Sequence, residues 1–241
     1  MEYVFTEIAE KEDMGDVLYL ARNFARAQGV VRQSYHFSPV FDSPVSEQTV
    51  IFADGFSTEW MDLYEEWDFR RIDPIPSRTL ALGEPLLWTD AMKLEPNTQE
   101  QAEYFRQMKE HDLIHGIGFG LYGPHCRDAY ASVDFGRPID GETRLKFNRI
   151  MAVAQAAQLR IAVLLNRDAA PITLSRREKQ VLDWMVQAKS TNDIATILSL
   201  SPETVRTYAK RLYEKLGTST RIGSVIRALK LNLVYSNNPT D

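Results

Sequence analysis

Hydrophobic positions recur with helical and strand-like periods along most of the chain. Between residues 12 and 28, Val17, Leu18, Ala21, Phe24 and Ala25 fall on one face of a helix that Gly29 ends. Strand-like runs at 31–38 and 48–53 come next, followed by a helix over 58–67. A further helix covers 98–111, strands cover 116–122 and 128–135, and a long helical pattern runs from 140 to 165. Helices flanking a mostly antiparallel sheet define an α+β unit, an α/β/α sandwich. A polar break from Asn166 to Pro171 separates this unit from the C-terminal residues. The expected organisation is a domain over 1–165, a linker over 166–173 and a second domain over 174–241.

The second domain reads as four short helices. Ser175 followed by Glu178 forms a capping box, and Val181, Leu182, Met185 and Val186 then make an apolar stripe. Asn192 is the expected cap of the next helix, which carries Ile194, Ala195, Ile197 and Leu198 and is broken at Leu200-Ser201-Pro202. Ser201 as N-cap, Pro202 at the first helical position and Glu203 in the first turn start a third helix. Its Val205, Leu212 and Leu216 face a core, which leaves Thr204, Arg206, Thr207, Lys210 and Arg211 on the remaining surface. Two short helices joined by a tight turn, the second bearing guanidinium, ammonium and hydroxyl groups, have the layout of a helix-turn-helix whose second helix enters the major groove. A solvated basic face is the alternative. After Thr218, Ser219 or Thr220, a fourth helix carries Ile222, Val225, Ile226 and Leu229, an apolar stripe that suits either a core or a partner.

Charge favours the DNA-binding alternative. The chain holds 28 Lys+Arg and 33 Asp+Glu, yet residues 171–241 hold 11 basic and 6 acidic residues, a surplus of five positive charges against ten negative ones upstream. A basic module attached to an acidic one is the asymmetry expected when only one domain meets nucleic acid. No apolar run is long enough to span a membrane, and Met1-Glu2-Tyr3 opens an amphipathic segment rather than a secretory leader. Cys126 is the single cysteine, so no internal disulfide forms. A cytoplasmic protein with no membrane partner is expected.

In the first domain, the stretch from Phe56 to Trp88 carries the chemistry. Trp60 and Tyr64 stand one helical turn apart, each with a polar tip on a large apolar body; Asp73-Pro74 opens the next segment, and Trp88 follows a loop. Such a set suits a small amphipathic ligand held by a few polar groups in an apolar pocket. Ordinary aromatic core packing, with Asp73-Pro74 as a turn, is the other outcome.

Residues 174–216 resemble the LuxR-type helix-turn-helix through Leu174-Ser175-x-Arg177-Glu178, Val181-Leu182, Lys189-Ser190, Ile194-Ala195, Leu198, Ser201, Thr204-Val205 and Lys215-Leu216. Ala188 stands where that family usually has Gly, Tyr208 where it usually has His, and Arg211 where it often has Asn. Trp60, Tyr64, Asp73, Pro74, Trp88 and Gly116 resemble, in order and spacing, the acyl-homoserine-lactone-binding domain of quorum-sensing regulators. The resemblance implies that the Trp60 indole N–H donates to a lactone carbonyl, that the Asp73 carboxylate accepts from the amide N–H, and that Tyr64 and Trp88 wall the pocket. Phe56 stands where many relatives have Tyr, and Ser132 is a candidate for the missing hydroxyl. Tyr130 shares its strand face and narrows the acyl compartment, while Ile75, Tyr104 and Met108 are further lining candidates. The resemblance further implies no cofactor, an acyl-homoserine lactone as effector, double-stranded operator DNA, self-pairing through the fourth helix, and RNA polymerase as an open further partner.

Other classes fit the residues less well. His111 and His115 have the spacing of a helical zinc pair, but Asp112 replaces the usual Glu and Gly116 signals a helix end. Gly116-x-Gly118-x-Gly120 lacks dinucleotide spacing, and His125-Cys126 is a lone pair in a turn, so an enzyme is not expected. Val50-Ile51-Phe52-Ala53-Asp54-Gly55 resembles a strand ending in a phospho-acceptor aspartate, which keeps a phosphorylation-controlled regulator as an alternative, beside an orphan regulator answering to another small molecule or to none.

Overall fold

The computed structural model describes residues 2–37, 50–94, 97–124, 127–165 and 172–234. Most of the expected linker over 166–173, and the His125-Cys126 pair, lie outside those residues. The chain divides into two compact units, Met1–Arg167 and Asp168–Asp241. Among the described residues no helix is long and apolar enough to cross a membrane.

The first unit contains α1 (Glu2–Glu10), α2 (Met14–Ala27), β1 (Arg32–Phe37), β2 (Val50–Asp54), α3 (Thr58–Glu66), α4 (Phe69–Ile72), α5 (Ile75–Leu82), β3 (Leu86–Leu87), α6 (Trp88–Ala91), α7 (Gln99–Glu110), β4 (Gly116–Leu121), β5 (Ala129–Asp134) and α8 (Gly141–Leu165). The five strands form one antiparallel sheet in the order β2-β1-β5-β4-β3. The α+β sandwich expected from the sequence is what forms.

Strand periodicity decides what each face of the sheet does. Tyr35, Ile117, Phe119, Leu121, Ala129, Ala131 and Val133 pack with Ile8, Val17, Leu18 and Ala21 of α1 and α2 and with Phe147, Ile150, Ala154 and Ile161 of α8. Each large side chain buried there contributes about 1.5–3 kcal/mol. On the other face the register aligns Ala53, Ser34, Ser132 and Gly118 in one row, and Ile51, His36, Tyr130 and Gly120 in the next. That second face carries small, polar and aromatic residues, and it looks toward a separate aromatic cluster built from α3 to α7.

Several boundaries differ from the sequence expectation for local reasons. The helix expected over 58–67 ends at Glu66, because Asp68 turns left-handed (φ 49°) and α4 starts anew at Phe69. Helices α1, α5 and α6 are absent from the sequence expectation; the last two are only eight and four residues long, too short to show a period. The imidazoles of His111 and His115 do not share a helix. Helix α7 ends at Glu110, His111 is its C-cap, and Asp112 (φ 55°) lets the Leu113 amide donate back to the Met108 carbonyl at 2.8 Å. Asp54 ends an edge strand, where the Arg26 guanidinium donates to it at 2.7 and 2.8 Å; that is not the surrounding of a phospho-acceptor in a parallel sheet.

The second unit holds α9 (Arg176–Val186), α10 (Thr191–Leu198), α11 (Pro202–Leu216) and α12 (Arg221–Lys230) around Val181, Leu182, Met185, Ile194, Val205, Leu212, Leu216 and Ala228. Each helix begins on a hydroxyl cap, from Ser175, Ser190, Ser201 and Thr220. The cap of α10 is therefore Ser190, in a capping box with Asp193, and not Asn192: a box satisfies two orphan donors where a lone Asn satisfies one. Each helix also ends on a left-handed residue, Ala188, Ser199, Gly217 or Asn232, after which a backbone N–H returns to a carbonyl five residues earlier. Ala188, at φ 58°, takes this conformation with a Cβ, at a cost of roughly 1 kcal/mol relative to Gly. Ile197, expected on the apolar face of α10, is 43% exposed.

Candidate functional site

Between the second sheet face and helices α3 to α7 lies an aromatic-lined cavity. Its lining includes all ten side chains singled out in the first domain: Phe56, Trp60, Tyr64, Asp73, Ile75, Trp88, Tyr104, Met108, Tyr130 and Ser132. Ser34, His36, Ile51, Ala53, Met61 and Leu113 complete it. Local structure sets each position. Ser57 caps α3 by accepting the Trp60 amide at 3.2 Å, which starts the helix so that Trp60 and Tyr64 share a face, their ring centroids 6.0 Å apart. Trp60 also packs against Phe69, Tyr104 and His111 at 5.9, 6.1 and 5.4 Å. Glycine in β4 makes room for the opposite wall: a methyl group at Gly116 would overlap the Trp88 indole, and one at Gly118 would overlap the Tyr130 ring.

Among the described residues, Asp73 is the only carboxylate in the lining. It closes α4, and its Oδ1 accepts the Ile75 amide at 2.8 Å, which fixes the turn into α5. Burial raises its pKa from 3.8 to about 7, against the pull of that amide, of hydrogen bonding from the Tyr104 hydroxyl, and of the Arg78 charge. The carboxylate is thus under-solvated when ionised and would gain from one more N–H donor. Burial likewise raises the phenol pKa values of Tyr64, Tyr104 and Tyr130, so these groups stay protonated hydroxyls. The Trp88 Nε1–H is buried, lies near the Tyr130 hydroxyl, and meets no acceptor at hydrogen-bonding geometry.

The sheet wall is polar where a greasy cavity would not need it. Ser34 Oγ lies 2.9 Å from His36 Nε2 and 2.8 Å from Ser132 Oγ, across the paired strands β1 and β5. The His36 ring meets Tyr130 edge-on at 5.0 Å. Burial, and then the Arg70 charge, lower the His36 pKa to about 4, which keeps the imidazole neutral in ordinary media.

In the second unit α11 presents a surface of a different kind. Arg206, Thr207, Lys210 and Arg211 are exposed and Thr204 is half-buried. The Arg206 guanidinium donates to Glu203 at 2.8 Å, the Thr207 hydroxyl to the Glu203 carbonyl at 3.0 Å, and Arg211 lies over the Tyr208 ring at 5.8 Å. The start of the helix is locked by Ser201, whose Oγ accepts the Thr204 amide at 3.0 Å. At its other end Lys215 donates to the buried Glu178 at 2.7 Å and ties α11 to the capping box of α9.

A sheet-walled cavity in one unit and a cationic second helix in the other match two protein families along this chain. Residues 13–165 match the autoinducer binding domain, and residues 172–228 match the bacterial regulatory proteins of the luxR family. The chain belongs to the LuxR family of regulators. The quorum sensing-dependent transcriptional regulator RpaR of Rhodopseudomonas palustris is 25% identical over 185 residues, 76% of this chain and 74% of RpaR. The Sinorhizobium fredii protein y4qH is 29% identical over 195 residues, which span 78% of this chain and 57% of y4qH. Escherichia coli SdiA shares the fold, with a TM-score of 0.69 at 19% identity and 97% coverage of both chains. As a LuxR-type protein the chain is a quorum-sensing transcriptional regulator, with a small-molecule effector site in the first unit and a DNA-binding helix-turn-helix in the second.

For this LuxR-type chain, the cavity residues that the sequence did not single out are instructive. Ser34 and His36 are polar and alternate with Tyr35 and Phe37, the pattern of a strand with one wet face. Here the polar face looks into a cavity and not into water, a distinction no periodicity carries. Leu113 reaches the lining through the left-handed Asp112 turn, and Ile51 and Ala53 through the edge position of β2.

Proposed function

We propose that the first unit binds an N-acyl-homoserine lactone and that this controls operator binding by the second. The observation that carries the reading is Asp73, the single carboxylate of the cavity among the described residues, raised to a pKa of about 7 among aromatic rings with an indole, Trp60, on the same lining. An amide N–H is the donor such a carboxylate lacks, and a lactone carbonyl is the acceptor an indole N–H needs. Ser132 would serve the amide carbonyl in place of the hydroxyl absent at Phe56; Tyr64 and Trp88 enclose the ring, and Ile75, Tyr104, Met108 and Tyr130 line the acyl part.

On the DNA side, Arg206 and Lys210 reach base edges in the major groove, with Thr204, Thr207 and Arg211 on bases or phosphates. The apolar stripe of α12 supports self-pairing on a two-fold operator: Ile222 is 72% exposed and Leu229 45%, while the core is closed by Ser224 and Ala228 instead. The regulator then acts in the cytoplasm as a homodimer, with RNA polymerase as an open further partner.

The test is a thermal melt of the intact protein against homoserine lactones of several acyl lengths. Ligand at a hundredfold excess over its Kd stabilises the protein by about 2.7 kcal/mol. Trp60→Phe keeps the packing and loses the donor, so the same shift should need about tenfold more lactone. A panel without any melting shift would overturn the lactone reading.

A further inference from the structure

We infer that His36 is a positioning residue for effector recognition, acting through Ser34 on the hydroxyl of Ser132; the inference rests on the lactone reading above. His36 Nε2, Ser34 Oγ and Ser132 Oγ are joined in line by two hydrogen bonds of 2.9 and 2.8 Å. All three side chains are buried, between 2% and 8% exposed, and all line the cavity. Two hydroxyl protons are available for two bonds, and the imidazole decides whether they suffice.

If Nε2 carries the imidazole proton, it donates to Ser34, Ser34 donates to Ser132, and one O–H is left over at the cavity end. If Nε2 is bare, Ser34 donates to it, Ser132 donates to Ser34, and the cavity end offers only lone pairs. Adding the neighbouring Tyr130 hydroxyl adds one bond and one proton, which leaves the count unchanged. Burial keeps His36 neutral, so it carries a single ring proton, and these are the two arrangements in which both bonds run in one direction. An acyl carbonyl needs a donor. Ser132 therefore offers it a donor, with both bonds of the row kept, only in the Nε2–H tautomer, and donors in a row polarise one another, which strengthens the last bond.

The experiment is a double-mutant cycle in the full-length protein, with N-octanoyl-homoserine lactone as probe and binding read by calorimetry. His36→Phe should weaken binding about tenfold in the native background and have no effect in a Ser132→Ala background. His36→Gln, which keeps an N–H near the Nε2 position, should recover most of the loss. Nitrogen NMR of labelled histidine should find His36 protonated at Nε2 in the complex. The relay is refuted if His36→Phe costs the same with and without Ser132, if Gln is no better than Phe, or if the complex carries the proton on Nδ1. Ser34→Ala, which deletes only a hydroxyl, repeats the cycle should the Phe variant not fold. Failure of the unmodified protein to bind any lactone of the panel removes the lactone reading and this one with it, an outcome distinct from binding without coupling.

Discussion

Asp73→Asn should stabilise the ligand-free protein while weakening its response to lactone. The pKa of this carboxyl rises from 3.8 to about 7 on folding, chiefly by burial. Below pH 4 both folded and unfolded chains hold the proton, and the group contributes nothing. Between pH 4 and 7 the unfolded chain ionises and the folded one does not, so stability falls as pH rises. Above pH 7 the full cost stands, at most about 4 kcal/mol. Asparagine keeps an oxygen for the Ile75 amide, now 2.8 Å from Asp73 Oδ1, and carries no charge to desolvate. The variant should therefore match the native protein near pH 4 and exceed it at pH 8, measured by chemical denaturation of the ligand-free chain. In the presence of lactone that advantage should shrink, because the amide N–H loses a charged acceptor worth about 1.5–3 kcal/mol. Lactone affinity of the native protein should also fall by up to tenfold per pH unit below 7, and that slope should vanish in the variant. A variant less stable than the native chain at pH 8, or native affinity that is flat from pH 5.5 to 7.5, refutes this account of the carboxylate.

Three further outcomes concern other parts of the molecule. Gly116→Ala drives a methyl group into the Trp88 ring and should cost about 1–3 kcal/mol, with lactone binding lost along with the displaced indole; a variant that melts and binds normally would show that the wall has slack. Ala188→Gly removes a left-handed Cβ at φ 58° and should raise the stability of the second unit by about 0.5–1 kcal/mol, read from urea denaturation of the intact protein. Arg206→Ala should weaken operator binding by about 1–3 kcal/mol and relax preference at one position per half-site; equal weakening on operator and random DNA assigns the guanidinium to phosphate, and no effect on either contradicts the placement of α11 in the groove.

The helix ends of the second unit are legible because they are written in adjacent residues: Ser175 with Glu178, Ser201 with Pro202, Thr220 ahead of Arg221. The start of α10 lies two residues before the expected Asn192, since Asn192 is also a good cap and only the box of Ser190 with Asp193 separates them. In the first unit the cavity residues on α3, α5 and α7 stand out as aromatic or apolar residues at helical spacing. Ser34 and His36 do not, because a polar strand face reads the same whether it meets water or an enclosed space. The glycines of β4 show only as a Gly-rich strand; that they make room for Trp88 and Tyr130 depends on pairing between distant strands.

That long-range pairing sets the order in which the sensor can be made. Strand β1 takes β5 as its central neighbour, Phe37 beside Ala129 and Arg32 beside Asp134. At ribosomal speed the gap between them takes roughly 5 to 20 seconds to synthesise. During that time β1 has β2 to pair with but not its central neighbour, while α3 through α7 emerge with one another to pack against but without the β5 side of the sheet. Tyr130 and Ser132 arrive after every other described residue that lines the cavity. The binding site is therefore closed from its sheet side, late in the synthesis of its own unit, and an effector already present in the medium meets the nascent chain at the step that gives the unit its core.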